Sequence, residues 1–159
     1  MKCFLLLLAI LIGAARGNYL VTSMYTDTTT CDEDGAARVF ITHDSDCTVG
    51  EVEPCKANGE YLSSRQHCCA SKPEYPSTPH VEERFYYGPS CDVQPHTTAY
   101  YFTNRCLMYD RYTCVDGEIT VRKFETLKCD SAAGLRQYSK ATGSCIVTGT
   151  ANAHIYECR

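Results

Sequence analysis

The sequence predicts an all-β fold: three related, disulfide-stapled units of short antiparallel strands, arranged in one compact domain or in two lobes. Two observations lead to this prediction. The chain of 159 residues contains 12 cysteines, and one frame of aromatic residues and cysteines occurs three times. Between the cysteines, runs rich in β-branched and aromatic residues alternate with polar, turn-prone segments, which is the pattern of short strands.

Each frame begins with an aromatic residue. A Cys-Asp pair follows five or six residues later, a second aromatic residue nine after that cysteine, and a second cysteine six or seven further on. This order predicts a strand, a cysteine-bearing turn, a second strand and a second cysteine. The copies are Tyr25, Cys31-Asp32, Phe40 and Cys47; Phe85, Cys91-Asp92, Tyr100 and Cys106; and Phe124, Cys129-Asp130, Tyr138 and Cys145.

Residues 1–17 have the features of a secretory signal peptide. Lys2 supplies the positive charge, the run from Phe4 to Ile12 is unbroken and apolar, and small residues follow it. The run has about half of the ~20 residues that a membrane-spanning helix needs, so we expect cleavage rather than anchoring. Cleavage after Ala15 and cleavage after Gly17 fit equally well. We therefore expect a secreted, extracellular protein.

Removal of the signal peptide would leave 142 residues (159 − 17) with a net charge of −6, because 13 basic residues would face 19 acidic ones. An acidic chain is a poor partner for nucleic acid or an anionic membrane, and we expect neither. Cys3 would be lost, and eleven cysteines would enter the oxidising extracellular space. Eleven is odd, which predicts one thiol that is free or bonded to another molecule, such as a second copy in a disulfide-linked homo-oligomer.

Local composition predicts the individual elements. Asp34-Gly35 and the segment from His43 to Asp46 are predicted turns. Asp116-Gly117 separates two strand-like runs and predicts a β-hairpin that leads into the third frame. The segment from Leu62 to His67 is predicted to hold a helical turn. The predicted strands are Asn18 to Tyr25, Arg38 to Thr42, Ala99 to Thr103, Ile119 to Phe124 and Leu135 to Ser139.

An insertion separates the first two frames and ends in a proline-rich connector. Residues 72–80 contain three prolines within seven residues, which favours a stiff, extended segment. We predict a first unit with its insertion over residues 18–71, the connector over 72–80, and the second and third units over 81–159. Because the frames are alike and the insertion is not, a specific function is expected between Cys55 and His80.

All eleven cysteines after residue 17 are disulfide candidates, and the sequence leaves their connectivity open. Equivalent bonds within the frames would each close a loop of roughly 16 residues, which the chain-entropy model values at about 3 kcal/mol. The pairs considered are Cys31–Cys47, Cys91–Cys106, Cys129–Cys145, Cys114–Cys158, and Cys55 with Cys68 or Cys69. The candidates are Cys31, Cys47, Cys55, Cys68, Cys69, Cys91, Cys106, Cys114, Cys129, Cys145 and Cys158.

Two short motifs carry a resemblance to a group of known proteins. Tyr25 to Asp32 reads Tyr-x-Asp-x-x-x-Cys-Asp, and Cys114 to Val121 reads Cys-x-x-Gly-x-Ile-Thr-Val. In these motifs the chain resembles small secreted, cysteine-rich repeat proteins of protists such as slime moulds and oomycetes, which carry tandem Tyr-x-Asp-x-x-Cys blocks and Tyr-x-Cys strands. The resemblance implies no activity and no site residues.

Clusters that could carry chemistry are sparse, and we predict no catalytic, cofactor or metal site. The chain has no Cys-x-x-Cys pair of the kind that binds zinc. His67 beside Cys68-Cys69 comes nearest to a nucleophile with its base, but neighbours in sequence rarely have the required geometry. Four acidic groups could serve acid–base chemistry, and two of them, Asp32 to Asp34 and His43 to Asp46, could bind calcium, yet solvated turns are favoured. These groups are Asp32-Glu33-Asp34, Asp44 with Asp46, Glu51 with Glu53, and Glu82-Glu83.

Tyrosine is the other abundant residue, with 12 copies and no tryptophan beside them. Packing on half-buried strands is the favoured role. Exposed rings could instead stack on sugars or cross-link a coat, and the clusters Phe85-Tyr86-Tyr87 and Tyr100-Tyr101-Phe102 are candidates for this. We predict a non-enzymatic extracellular structural or interaction protein, such as a coat, wall or matrix component. The alternatives are a binding module for a glycan or a protein partner, including an effector or inhibitor, and a small secreted hydrolase.

Overall fold

The computed structural model describes residues 18–26, 30–31, 35–57, 62–74, 78–126, 129–130 and 136–159. The predicted all-β class is confirmed, because the described ranges contain twelve strands and no α-helix. The predicted signal peptide lies outside the described residues. The strands are β1 Tyr19–Thr26, β2 Ala36–His43, β3 Lys56–Ala57, β4 Leu62–Cys69, β5 His80–Tyr87, β6 Thr97–Phe102, β7 Cys106–Leu107, β8 Asp110–Val115, β9 Glu118–Lys123, β10 Arg136–Lys140, β11 Ile146–Thr148 and β12 Asn152–Cys158.

The strands form two antiparallel sheets. The large sheet has the order β11-β12-β5-β6-β2-β1-β4-β3, and the small sheet has the order β10-β9-β8-β7. Each predicted frame forms a hairpin, since β1 pairs with β2, β5 with β6, and β9 with β10. The strands before and after the proline-rich connector share one sheet through the pairing of β2 with β6.

Turn chemistry explains the predicted hairpin between β8 and β9. Asp116 and Gly117 connect the two strands, and both have positive φ, of 51° and 79°. A two-residue turn of this kind requires left-handed backbone at both positions, which glycine and aspartate tolerate best. The hairpin is confirmed. The predicted helical turn at residues 62–67 is wrong, because β4 pairs with β1 along its whole length and tertiary pairing outweighs local preference.

No observed disulfide joins two cysteines of the same frame. Two bonds join the second frame to the third, two join the first frame to the insertion, and one joins two cysteines outside the frames. The predicted bonds within the frames are wrong, as is a bond from Cys55 to Cys68 or Cys69, whereas Cys114–Cys158 is confirmed. The reason is geometric: Cys31 lies in the turn before β2 and Cys47 lies beyond it, so a strand of roughly 26 Å separates them, and a disulfide spans less than about 7 Å between Cα atoms. The observed bonds are Cys31–Cys55, Cys47–Cys68, Cys91–Cys145, Cys106–Cys129 and Cys114–Cys158.

No cysteine in the described ranges is free. The expectation of an odd cysteine, and of a disulfide-linked oligomer formed through it, depends on removal of residues 1–17. Those residues lie outside the described ranges, so this expectation stays a prediction.

Two hydrophobic cores lie on opposite faces of the large sheet. The first packs residues of β1, β2 and β6 against the Cys31–Cys55 bridge. The second fills the space between the small sheet and strands β5, β6 and β12. Adjacent residues of β6 therefore enter different cores, with Tyr100 in the first and Tyr101 in the second. This explains why both tyrosines are buried although they point in opposite directions.

Candidate functional site

An open pocket lies at one end of strands β5 and β12, where β11 pairs with β12. Its volume is about 350 Å³, at the lower end of the range of roughly 300–1,000 Å³ that is usual for small-molecule sites. We call it the end pocket. Its lining is aromatic, imidazole and small polar, and consists of Phe85, Tyr86, Tyr87, His96, Thr148, Asn152, Ala153 and His154.

Strand alternation places the functional side chains of the pocket on one face of the large sheet. In the register of the three strands, Tyr87 is opposite Asn152, and Asn152 is opposite Thr148. We call these three residues the open row. Two residues further along each strand, Phe85 is opposite His154. Because side chains at positions i and i+2 of a strand share a face, both rows point toward the same side.

The most exposed aromatic ring of the described chain stands at the pocket. Tyr87 is 74% exposed, and its ring stacks on the His96 ring with 3.8 Å between centroids and 13° between planes. We call this pair the platform. The His96 amide donates to the Phe85 carbonyl at 2.9 Å, and its Nδ1 lies 2.9 Å from the Thr97 hydroxyl. Burial lowers the pKa of His96 below its usual range, so the imidazole under Tyr87 is neutral at neutral pH.

The rim of the pocket is held by one disulfide and one short backbone contact. Cys91, in the loop between β5 and β6, is bonded to Cys145, just before β11. The Gly88 amide donates to the Ala151 carbonyl at 2.7 Å. Gly88 has a φ of 92°, a conformation that other residues rarely adopt, so glycine is needed where the chain leaves β5. These links hold the two loops that flank the platform.

The floor of the pocket leads to a buried carboxylate. Glu83 is 4% exposed, and its Oε1 lies 3.2 Å from Nδ1 of His154. Its Oε2 accepts a hydrogen bond from the Tyr101 hydroxyl, and the Tyr156 hydroxyl bonds to the same carboxylate. Arg38 donates in turn to the Tyr101 hydroxyl and lies over its ring. The buried carboxylate therefore has two hydroxyl partners, as burial of a charge requires.

Glu83 belongs to what we call the covered row, because the small sheet closes over it. The row pairs Tyr156 with Glu83, and Glu83 with Ala99. Lys140 of β10 donates to the Tyr156 hydroxyl, and its Nζ lies 3.8 Å from the centre of the Tyr156 ring. Burial lowers the pKa of Lys140, whereas the charges of Glu83 and Asp110 act in the opposite direction. The charged groups here are thus bonded into the sheet interface.

Tyrosine packing follows the same division between covered and open positions. Burial raises the pKa values of Tyr101, Tyr112 and Tyr156, with the Glu83 carboxylate adding to the effect. Tyr101 stacks on Tyr112 with 4.1 Å between ring centroids. The packing role predicted for tyrosine is confirmed at these positions. Of the two predicted clusters, Tyr100-Tyr101-Phe102 is buried and Phe85-Tyr86-Tyr87 supplies the exposed ring of the pocket.

The solvated turn predicted for the acidic pair Glu82-Glu83 is wrong. Both belong to β5 and point to opposite faces. Glu83 enters the covered row, while Glu82 accepts a hydrogen bond from Arg84 at 2.7 Å. Arg84 also lies 2.5 Å from Glu157. Burial alone would lower the pKa of Arg84, but the carboxylates of Glu82 and Glu157 outweigh it, so the pKa is raised. The pair therefore stabilises two faces of one strand.

The other predicted acidic groups show no convergence on a site. Asp44 accepts a hydrogen bond from the Asp46 amide at 2.9 Å, which makes this segment the predicted turn. Glu53 pairs with Lys56 at 2.6 Å on the surface. The acidic residues at 32–34 lie outside the described ranges. Within the described ranges, no group of three His, Cys, Asp or Glu side chains could hold a metal ion.

A second, smaller cavity of about 170 Å³ lies at the insertion. His67 and Cys68 line it, but Cys68 is bonded to Cys47 and is not a thiol nucleophile. The end pocket is the larger of the two and lies outside the segment from Cys55 to His80, where the sequence analysis placed a specific function.

Sequence reasoning missed five residues of the end pocket: His96, Thr148, Asn152, Ala153 and His154. Only the adjacent aromatic residues at 85–87 gave a local signal. The described chain contains no helix that is long and apolar enough to cross a membrane. No protein-family model, no curated protein and no solved structure matches the chain.

Proposed function

We propose that the protein is a secreted, non-enzymatic binding module that holds a glycan in the end pocket. The observation that carries the proposal is the platform, an exposed Tyr87 ring that is stacked and held in place by His96. A sugar ring has one face of C–H groups and a rim of hydroxyls. A fixed aromatic face packs against the first, and small polar side chains bind the second.

The remaining lining of the pocket fits such a ligand. Thr148 and Asn152 stand beside Tyr87 in the open row and offer a hydroxyl and an amide. Each can both donate and accept hydrogen bonds, as sugar hydroxyls do. None of the eight lining residues is Asp, Glu, Lys or Arg. A neutral ligand is therefore favoured over an anionic or cationic one.

Secretion is part of the proposal. Five disulfides in a small β protein are typical of extracellular proteins. The signal-peptide features of residues 1–17 support export to that compartment. The disulfides would also hold the loops around the platform in the absence of ligand, which lowers the entropic cost of binding.

Two competing functions make different demands on the molecule. A coat or matrix component would assemble with itself and would need no soluble ligand. A hydrolase would bring paired carboxylates or an activated nucleophile to the pocket, whereas Glu83, the carboxylate nearest to its floor, lies behind His154 and is engaged by hydroxyls. The platform itself favours holding a ligand over either of these functions.

The test is a glycan array followed by calorimetric titration of the bound oligosaccharide. We expect Tyr87→Ala to weaken binding by about tenfold or more, since an aromatic stacking contact is worth roughly 0.5–1.5 kcal/mol beyond area burial. Tyr138→Ala is the matched control, because Tyr138 is also exposed, at 44%, but lies on β10 outside the pocket. Binding that is equally weakened by both variants, or unaffected by Tyr87→Ala, would contradict the site.

Self-assembly is tested on the same material by non-reducing electrophoresis. A disulfide-linked polymer that binds no sugar on the array would favour the coat or matrix role instead. A species that binds sugar would support the binding module.

A further inference from the structure

The imidazole of His154 lies between the open row and the covered row. Its ring centroid is 6.3 Å from that of Phe85 and 5.1 Å from that of Tyr156, so aromatic neighbours restrict it on two sides. Its Nδ1 faces Glu83 at 3.2 Å, and the residue also lines the end pocket. One edge of the ring therefore belongs to the buried network and the other is available to a ligand.

The surroundings of Glu83 decide which nitrogen of His154 carries the proton. Tyr101 and Tyr156 bring hydroxyl donors to the carboxylate, which as an ionised group can only accept. The Nδ1 atom that faces this carboxylate must then be the protonated nitrogen. A second partner of this kind is what normally fixes the tautomer of a functional histidine. In the neutral ring, Nε2 then carries a lone pair that can accept a hydrogen bond.

We propose that His154 determines the specificity of the end pocket by accepting a hydrogen bond from one free hydroxyl of the bound sugar. This inference rests on the proposed function and names the feature that the ligand must have. His154 is two positions from the open row along β12, which is roughly 7 Å. A ligand that stacks on Tyr87 must therefore reach about 7 Å further along the strands, through a ring substituent or a neighbouring ring, and present a hydrogen-bond donor to His154.

The first test needs no sugar. Long-range ¹⁵N–¹H NMR of the uniformly labelled protein reports the tautomer of each histidine. We expect His154 to be protonated at Nδ1. His80 is the internal control, because its Nδ1 lies 2.7 Å from the Thr78 carbonyl, which can only accept. A His154 ring protonated at Nε2, with His80 protonated at Nδ1, would overturn the inference.

The second test is a cycle of ligand and protein changes. The probes are cellotetraose, chitotetraose, xylotetraose and mannotetraose, and then monodeoxy analogues of the tightest binder. We expect one deoxy position to weaken binding by about tenfold, the equivalent of one hydrogen bond, in the native protein and not in His154→Phe. Phenylalanine keeps the ring between Phe85 and Tyr156 but has no acceptor.

The outcomes separate the two proposals. Binding of a tetrasaccharide with no deoxy position coupled to His154 would overturn this inference and leave the proposed function standing. Failure of all four tetrasaccharides, with the folded state verified by the tautomer spectrum, would overturn the proposed function and this inference with it.

Discussion

The covered row and the open row lie on one face of strands β5 and β12, four residues apart along β5, and they have opposite fates. Glu83 and Tyr156 lie beneath the small sheet, where the Tyr101 and Tyr156 hydroxyls bond to the carboxylate. Tyr87 and Asn152 belong to the same pair of strands, but Tyr87 is 74% exposed and stands over a pocket. The strands are the same, and only the cover differs.

The contrast shows how one sheet provides both a scaffold and a site. Beneath the small sheet, the low dielectric makes an unpaired polar group costly, so the hydrogen-bond network around Glu83 contributes to the stability of the fold. Beyond the cover, the side chains of Thr148 and Asn152 are exposed to solvent, so their polar groups have no desolvation cost. Changes in the covered row should therefore alter the free energy of unfolding, whereas changes in the open row should alter binding.

Removal of a disulfide should have the largest effect, and two bonds allow a matched comparison. Cys114–Cys158 ties the small sheet to β12 across 44 residues, and Cys91–Cys145 ties the rim of the pocket across 54. Replacing either pair by serine should lower the free energy of unfolding by about 4 kcal/mol in the chain-entropy model. Chemical denaturation measures this loss.

Binding should distinguish the two disulfide variants. At a temperature where both remain folded, only the variant without Cys91–Cys145 should lose affinity for the sugar, because its platform and β11 are no longer linked. Equal affinity in the two variants would show that the rim does not organise the pocket.

Alanine substitution compares the rows directly. Glu83→Ala should cost about 3 kcal/mol, because it leaves the buried hydroxyls of Tyr101 and Tyr156 without their acceptor. Tyr87→Ala should change the free energy of unfolding by less than about 0.5 kcal/mol, as surface substitutions usually do. Urea denaturation of both variants measures the difference, and a Tyr87 cost as large as that of Glu83 would refute the division into rows.

The next largest effect expected is a loss of stability at alkaline pH, through ionisation of a buried tyrosine. Burial, helped by the Glu82 charge, raises the pKa of Tyr100 to about 12, above the value of about 10 in an unfolded chain. The folded state therefore holds its proton more tightly, so this contribution is complete below pH 10 and is lost as the pH rises through 12. We expect the melting temperature to fall over that window, and Tyr100→Phe to reduce the fall.

The smallest expected effect concerns His96 in the platform. Burial lowers its pKa, so the unfolded chain binds a proton first and stability should decline slightly as the pH falls from about 6.5 through the folded pKa. In Tyr87→Ala the stacked ring is gone, water reaches His96, and its pKa should rise toward the usual value. An NMR titration of the imidazole measures the change, and an unchanged pKa would show that Tyr87 does not shield His96.

Local patterns were sufficient to predict the order of strand, turn and strand in the frames and one hairpin. The alternating strands of the frames and the turn at Asp116-Gly117 depend on residues that are adjacent in sequence. Of the disulfide bonds considered from the sequence, Cys114–Cys158 was confirmed. The other bonds were missed, because they depend on which strand ends meet after β2 pairs with β6 and the small sheet folds over β5. The three units as repeats, the domain limits and the resemblance to protist proteins stay predictions.

The pocket lay beyond sequence reasoning for the same reason. Phe85-Tyr86-Tyr87 marked one wall through its run of aromatic residues. Asn152 and His154 join it only through the pairing of β12 with β5, between residues far apart in the chain. A lone histidine in a short strand carries no local sign that a buried glutamate faces it.

The most direct test of the account is a ¹⁵N–¹H NMR titration of the full chain with the tetrasaccharide that it binds best. The account predicts that shifted amides cluster at Tyr87, His96, Thr148, Asn152 and His154. It also predicts that Tyr87→Ala raises the sugar concentration at half-maximal shift by about tenfold or more, whereas Tyr138→Ala leaves that concentration unchanged. Shifts centred on the insertion or on the outer face of the small sheet, or an unchanged midpoint in Tyr87→Ala, would contradict it.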